Sequence, residues 1–116
     1  DQNGYFRGGV IAAGIGTALN SLIANTSLLQ RISIEAPPHV IGSNTIDSMQ
    51  SGAVYGTAAM IDGMCDRIED ELGVSANIVA TGGLSREITP HCRRQITYDE
   101  NLLLEGLRLV YEKNKK

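Results

Sequence analysis

The longest repeating pattern of hydrophobic and polar positions runs from about Thr45 to Leu72 and predicts one helix or two abutting helices. Asn44, with Asp47 three residues later, is typical of a helix N-terminus, and Gly73 is placed to end the helix. At the standard rise, about 28 helical residues extend about 42 Å. Because the helix begins after this polar turn, the Thr45 hydroxyl is expected at the helix N-terminus. Free backbone N–H groups there favour anionic or strongly polar ligands.

Shorter patterns on both sides predict the remaining elements. They indicate strands at Tyr5–Ile11 and Asn77–Ala80, amphipathic helices near Thr17–Asn25 and Asn101–Lys113, and an irregular linker over 27–40. The resulting order β, α, α, β, α predicts an α/β domain. Because Asp1–Gly4 has the chemistry of a hairpin turn with no strand before it, we expect the first strand of that hairpin to be missing from the chain.

The same patterns predict which helix positions are buried. On the long helix the expected core positions are Met49, Met60, Ile61, Met64 and Ile68, and on the last helix they are Leu103, Leu107, Val110 and Tyr111.

A stripe of small residues marks another face of the long helix. A glycine inside a helix lowers its stability by about 1 kcal/mol relative to alanine, and this helix contains three, Gly52, Gly56 and Gly63. A geometric reason for them is therefore expected. With Ala59 they fall within about 60° of one another, and Thr45 and Ser48 lie on or beside the same stripe. Two interpretations stay open: another element of the same domain packs there, or a second copy of the chain does so across a two-fold axis, which would bring Thr45 near a neighbouring subunit's ligand.

Size and charge narrow the class of protein. With 116 residues, 42% apolar and 20% charged, the chain fits one globular domain with a modest core. A net charge of −3 with scattered basic residues argues against nucleic-acid binding, and no apolar run is long enough to span a membrane. Cys65 and Cys92 lack metal-ligand spacing, so we expect no metal site and a reduced, cytoplasmic location.

Few residues carry recognisable chemistry. The Thr81-Gly82-Gly83 turn after a hydrophobic strand either is a simple tight turn or lets a nucleotide lie against bare backbone. His39 and His91 have no partner at ligand or triad spacing, so both are expected at the surface. The acidic run Asp66, Glu69, Asp70 and Glu71 is interpreted as solvated.

Several blocks of the chain, in order, resemble the C-terminal half of a type III pantothenate kinase. These blocks are Gly4–Ile11, Ile41–Thr45, Met49–Gly52 with Tyr55–Gly56, Ala80–Leu84, Leu104–Leu107 and Tyr111–Asn114. That family belongs to the actin-like ATPase superfamily. The resemblance implies a ribonuclease-H-like half-domain, a mixed sheet flanked by helices, with residues 1–116 as the C-terminal domain of a two-domain kinase.

The resemblance also implies a function and a division of roles. It implies phosphorylation of pantothenate by ATP, the first step of coenzyme A biosynthesis, with Mg²⁺ and a monovalent cation, K⁺ or NH₄⁺. Thr45 matches the family's pantothenate-contacting threonine, and Gly82 and Gly83 match its adenosine-side turn. The family's catalytic aspartate, phosphate loops and cation-binding aspartate all precede the position of Asp1. The chain is therefore expected to hold no catalytic or metal-binding residue, to need the N-terminal half of the same protein, and to be inactive alone.

Further expectations concern assembly and competing functions. The resemblance implies a homodimer, for which the glycine face Gly52, Gly56 and Gly63 is the candidate surface. One alternative is a non-catalytic relative that dimerises or regulates transcription. Another is a kinase for a different small alcohol, since a fold of this kind does not fix the substrate.

Overall fold

The computed structural model describes residues 6–12, 14, 33–82 and 85–114, and within them the chain is α/β. The described residues form three helical stretches and one small sheet. The elements in chain order are α1 (Thr45–Ser51), a π-helical segment π1 (Gly52–Gly56), α2 (Thr57–Leu72), β1 (Val79–Ala80), α3 (Ser85–Ile88), a 3₁₀ turn (Thr89–His91), β2 (Thr97–Tyr98) and α4 (Leu102–Asn114).

The predicted long helix is confirmed, with one local difference. Its ends are those expected from sequence: the Asn44 side chain accepts a hydrogen bond from the Asp47 N–H at 2.8 Å, and Gly73 closes the helix with φ +73°. Between them, Gly52–Gly56 widen into a π-helical segment that joins α1 to α2. π-helical segments are frequent at functional sites. This one directly follows the first two turns of the helix.

The sheet consists of two short parallel strands. Val79 pairs with Thr97 and Ala80 with Tyr98, so the carboxyl ends of both strands lie at the same edge. The predicted strand over 77–80 is confirmed in a shorter form, whereas β2, α3 and the 3₁₀ turn were not predicted. Their sequences are too short to show a hydrophobic period.

The described core is small and lies on one face of the long helix. Val54 is 0% exposed and Ala58 and Ile88 are each 2% exposed. Ile34, Ala53, Ile61 and Cys92 pack against this core cluster. The linker before α1 and the short helix α3 thus cover the same face of the long helix.

The core predicted on the long helix is only partly right, since Met49 and Met64 are half-buried. Of its five positions only Ile61 packs against the described core cluster, and Met60 and Ile68 are exposed. The reason is tertiary, because the linker and α3 cover the face that carries Val54 and Ala58.

The predicted inward face of the last helix is also wrong for the residues whose side chains are described. Leu107, Val110 and Tyr111 are exposed, the last by 66%. The helix itself is confirmed over Leu102–Asn114. An apolar stripe shows that a helix needs a covering surface, but it does not say which part of a protein supplies that surface.

The predicted strand over Tyr5–Ile11 is wrong for 6–11, which have no regular secondary structure. Phe6 is 92% exposed and Gly8 has φ +132°. A strand needs a neighbour for its backbone groups, and the described sheet holds only β1 and β2, paired with each other. The predicted turn at Asp1–Gly4, the helix near Thr17–Asn25 and the linker up to 32 lie outside the described residues.

Candidate functional site

Thr45 lines an open cavity of about 500 Å³ at the start of α1. Thr45 is the first residue of the helix and is exposed. The cavity is lined by Gly42, Ser43, Asn44, Thr45, Ser48, Met49 and Gly52. Ser43, Asn44, Thr45 and Ser48 contribute polar groups to a lining that is otherwise apolar, so the cavity suits a small ligand that a hydroxyl can orient.

The turn that forms this cavity is held by the helix start. The Asn44 side chain accepts from the Asp47 N–H and also donates to the Asp47 carboxylate at 3.1 Å. Ser48 N–H donates to the Asn44 carbonyl at 2.9 Å, which begins the helix. Thr45 is thereby fixed as the first helical residue.

A close backbone contact explains Gly42. A methyl group at this position would lie 2.5 Å from the Ser48 nitrogen and 2.6 Å from its Cα. Both are backbone atoms of α1 and cannot move aside, so only glycine lets the turn approach the helix this closely. The sequence contains Gly42 but gives no sign that Ser48 is its neighbour.

Three donors on the long helix anchor the linker that leads into the cavity. Tyr55 Oη donates to the Pro37 carbonyl at 2.8 Å, and Gln50 Nε2 donates to the Ser33 carbonyl at 3.2 Å. The buried Ser51 hydroxyl donates to the Val40 carbonyl. The linker is therefore held against the first half of the long helix, and none of these contacts could be read from the sequence.

The glycine stripe borders the cavity and faces open space. Methyl groups at Gly52, Gly56 or Gly63 would meet no atom of another described element within 4 Å. The interpretation that another element of the domain packs there therefore finds no partner among residues 6–12, 14, 33–82 and 85–114. The subunit-contact interpretation stays a prediction.

The second predicted site residue, Gly82, lies in the turn after β1, and Gly83 lies outside the described residues. Gly82 has φ +101°, which residues with a side chain rarely adopt. Tyr98 Oη donates to its carbonyl at 3.0 Å, and Ser85 Oγ donates to the Thr81 carbonyl at 2.7 Å. Sequence reasoning missed Tyr98 and Ser85, because neither belongs to a recognisable motif.

Three residues of the acidic run, Asp66, Asp70 and Glu71, are exposed as expected, whereas Glu69 is half-buried. Arg94 forms ion pairs with Asp66 and Glu69, while Asp62 accepts from the N–H groups of Arg93 and Arg94 at 2.7 and 3.0 Å. The Ala76 N–H donates to Glu69 at 2.7 Å, and this bond, with Arg94, lowers the pKa of Glu69 below its ordinary value. Asp62, Asp66 and Glu69 thus hold the loop before β2.

The other titratable candidates behave as surface or packing groups. His39 and His91 are exposed, as predicted. The rings of His91 and Tyr55 pack edge to face, with 5.4 Å between their centres. Cys65 and Cys92 are half-buried, and burial raises the pKa of both thiols, which favours their protonated form. Among the residues that the structure describes, no three His, Cys, Asp or Glu side chains could hold a metal ion together.

Comparison with known proteins identifies the family. The model of the type III pantothenate kinase family matches residues 1–67. The chain is 45% identical over 112 residues to the type III pantothenate kinase of Anaeromyxobacter sp. (strain Fw109-5), covering 97% of this chain and 44% of the relative. The chain belongs to the type III pantothenate kinase family.

Two further relatives carry the same name and show similar identity and coverage. The type III pantothenate kinase of Exiguobacterium sp. (strain ATCC BAA-1283 / AT1b) is 44% identical over 116 residues, which is 100% of this chain and 45% of the relative. That of Acholeplasma laidlawii (strain PG-8A) is 43% identical over 115 residues, 99% of this chain and 47% of the relative. The chain thus spans less than half the length of these family members.

Proposed function

We propose that this chain is the C-terminal part of a type III pantothenate kinase, which transfers phosphate from ATP to pantothenate in the first step of coenzyme A biosynthesis. The observation that supports this most directly is the relationship over nearly the whole chain to proteins named type III pantothenate kinase. In this proposal residues 1–116 are the C-terminal domain of a two-domain, ribonuclease-H-like kinase located in the cytoplasm.

Thr45 is the proposed substrate-binding residue. Its hydroxyl can both donate and accept a hydrogen bond, which suits the hydroxyl, amide and carboxylate groups of pantothenate. Thr45 lines an open cavity together with the polar side chains of Ser43, Asn44 and Ser48, which supports this role. Gly82 and Gly83 are proposed to lie on the nucleotide side, since α/β proteins bind ligands beyond the carboxyl ends of parallel strands.

The chemistry of phosphoryl transfer is assigned to the rest of the polypeptide. That reaction needs positioned charge and a divalent metal ion, which neutralises the phosphates when bound. The resemblance implies that the family's catalytic aspartate, phosphate loops and cation-binding aspartate precede the position of Asp1, so we assign no residue of this chain to Mg²⁺, K⁺ or NH₄⁺. This chain is therefore proposed to be inactive alone, and to form a homodimer through Gly52, Gly56 and Gly63.

The test is ATP-dependent phosphorylation of pantothenate by the complete reading frame that contains this chain, comparing wild type with Thr45→Val. Loss of one substrate hydrogen bond is expected to raise the KM for pantothenate about five- to tenfold. The KM for ATP should stay unchanged.

Thr97→Val is the matched control, because it removes an exposed threonine hydroxyl from β2, away from the cavity. Its kinetics should equal those of wild type. No phosphorylation by the wild-type protein, with Mg²⁺ and K⁺ or NH₄⁺ present, would exclude the proposed activity and favour a non-catalytic relative.

A further inference from the structure

The edge of the sheet where both strands end carries an organised group of side chains that the proposed site residues do not include. β1 leads into the Thr81–Gly82 turn, and β2 leads into the turn before α4. Because the strands are parallel, the two turns lie side by side. A ligand that binds beyond the carboxyl ends of these strands must meet them.

Both carbonyls of the Thr81–Gly82 turn are occupied by donors of this chain. Tyr98 Oη donates to the Gly82 carbonyl at 3.0 Å, and Ser85 N–H donates to the same oxygen at 3.2 Å. Ser85 Oγ donates to the Thr81 carbonyl at 2.7 Å. Gly82 has a positive φ, and glycine, which has no side chain, can adopt many other backbone conformations as well. These hydrogen bonds therefore select one conformation of the turn.

Tyr98 itself is held in place from two sides. Its backbone lies in β2, opposite Ala80, and the next residue, Asp99, donates its N–H to the Ala80 carbonyl at 2.8 Å. The Arg86 guanidinium lies 5.5 Å from the centre of the Tyr98 ring and also pairs with Glu100. The Tyr98 side chain therefore holds its hydroxyl in a fixed position, from which it links the end of β2 to the turn after β1.

We propose that Tyr98 is a positioning residue for the nucleotide, whose hydroxyl holds the Gly82 turn ready to receive ATP. This inference rests on the proposed function of that turn. A turn that is ordered before binding loses less conformational freedom when the ligand arrives, so it binds the nucleotide more tightly. Tyr98 acts through Gly82 and has no proposed contact with the reacting atoms.

The test is Tyr98→Phe in the complete reading frame, which removes the hydroxyl and keeps the ring. Loss of one ordering hydrogen bond is expected to raise both the Kd for ATP, measured by calorimetry, and the KM for ATP about three- to tenfold. The KM for pantothenate and kcat should remain as in wild type. Tyr111→Phe, which removes an exposed phenol on α4, is the control and should leave the Kd for ATP unchanged.

The outcomes separate this inference from the proposed function. Wild-type Kd and KM for ATP in Tyr98→Phe, with pantothenate still phosphorylated, would overturn the inference alone. A lower kcat and a lower thermal midpoint, together with a higher KM for both substrates, would also overturn it, because Tyr98 would then be a general structural residue. If the wild-type protein binds ATP without phosphorylating pantothenate, the proposed function fails while the ratio of Kd values still tests Tyr98. If it does not bind ATP, both are wrong.

Discussion

Single residues in this chain differ in how their roles can be recognised. Thr45 can be located from sequence because a capping residue, Asn44, precedes it and fixes it as the first helical residue. Gly42 and Gly82 are both glycines near the proposed sites, yet their reasons differ: one avoids a clash with Ser48, and the other adopts a positive φ. Neither reason is visible without the neighbouring backbone.

Gly42→Ala is expected to destabilise the protein by about 1–3 kcal/mol, because its methyl group would overlap backbone atoms of α1. The free energy of unfolding in urea measures this. Gly106→Ala is the control: a methyl group there meets nothing within 4 Å in α4, and alanine is expected to be neutral or to stabilise the helix by about 1 kcal/mol. Equal effects of the two substitutions would contradict the close contact.

At the scale of elements, the long helix anchors two segments that have no regular secondary structure of their own. Its first half anchors the linker through Gln50, Ser51 and Tyr55, and its second half anchors the loop before β2 through carboxylates that bind Arg94 and the backbone of 93 and 94. The acidic positions at the helix end oppose the helix dipole, and Arg94 offsets this. An arrangement of this kind makes stability depend on pH.

Glu69→Gln is expected to reduce the acid sensitivity of folding. The folded-state pKa of Glu69 is lowered, so its contribution to stability is fully present above its ordinary value of 4.5 and is lost as the pH falls through the lowered pKa. Urea unfolding between pH 3 and pH 7 should therefore show a smaller rise in stability with pH in Glu69→Gln than in wild type. Glu71→Gln, which changes an exposed carboxylate at the same helix end, should retain the wild-type slope. A wild-type slope in Glu69→Gln would contradict the role of its bonds to Ala76 and Arg94.

At the scale of the molecule, apolar and small-residue surfaces are left uncovered by the described residues. The outer side of α4 and the glycine stripe on the long helix both face open space, although sequence patterns of these kinds are typical of contact surfaces. Family members are more than twice as long as this chain. Within the described residues, no helix is both long and apolar enough to cross a bilayer.

Gly56→Leu is expected to convert the proposed homodimer to monomers, because a leucine side chain would hold two glycine faces apart. Sedimentation of the complete reading frame measures the mass. Gly106→Leu places the same side chain on α4, also in open space, and should sediment as wild type does. A dimer in Gly56→Leu would show that the stripe is not the subunit contact.

The sequence by itself determined the features that depend on neighbours along the chain. The helix ends at Asn44 and Gly73, the strand before Thr81, the last helix and the position of Thr45 all follow from local hydrogen bonding and periodicity. The tertiary structure alone decided which face of the long helix is buried, that Tyr98 reaches Gly82, that Arg94 meets Glu69 and that Gly42 touches Ser48. Such contacts join residues brought together by packing, and periodicity gives the direction of a side chain without naming what it meets.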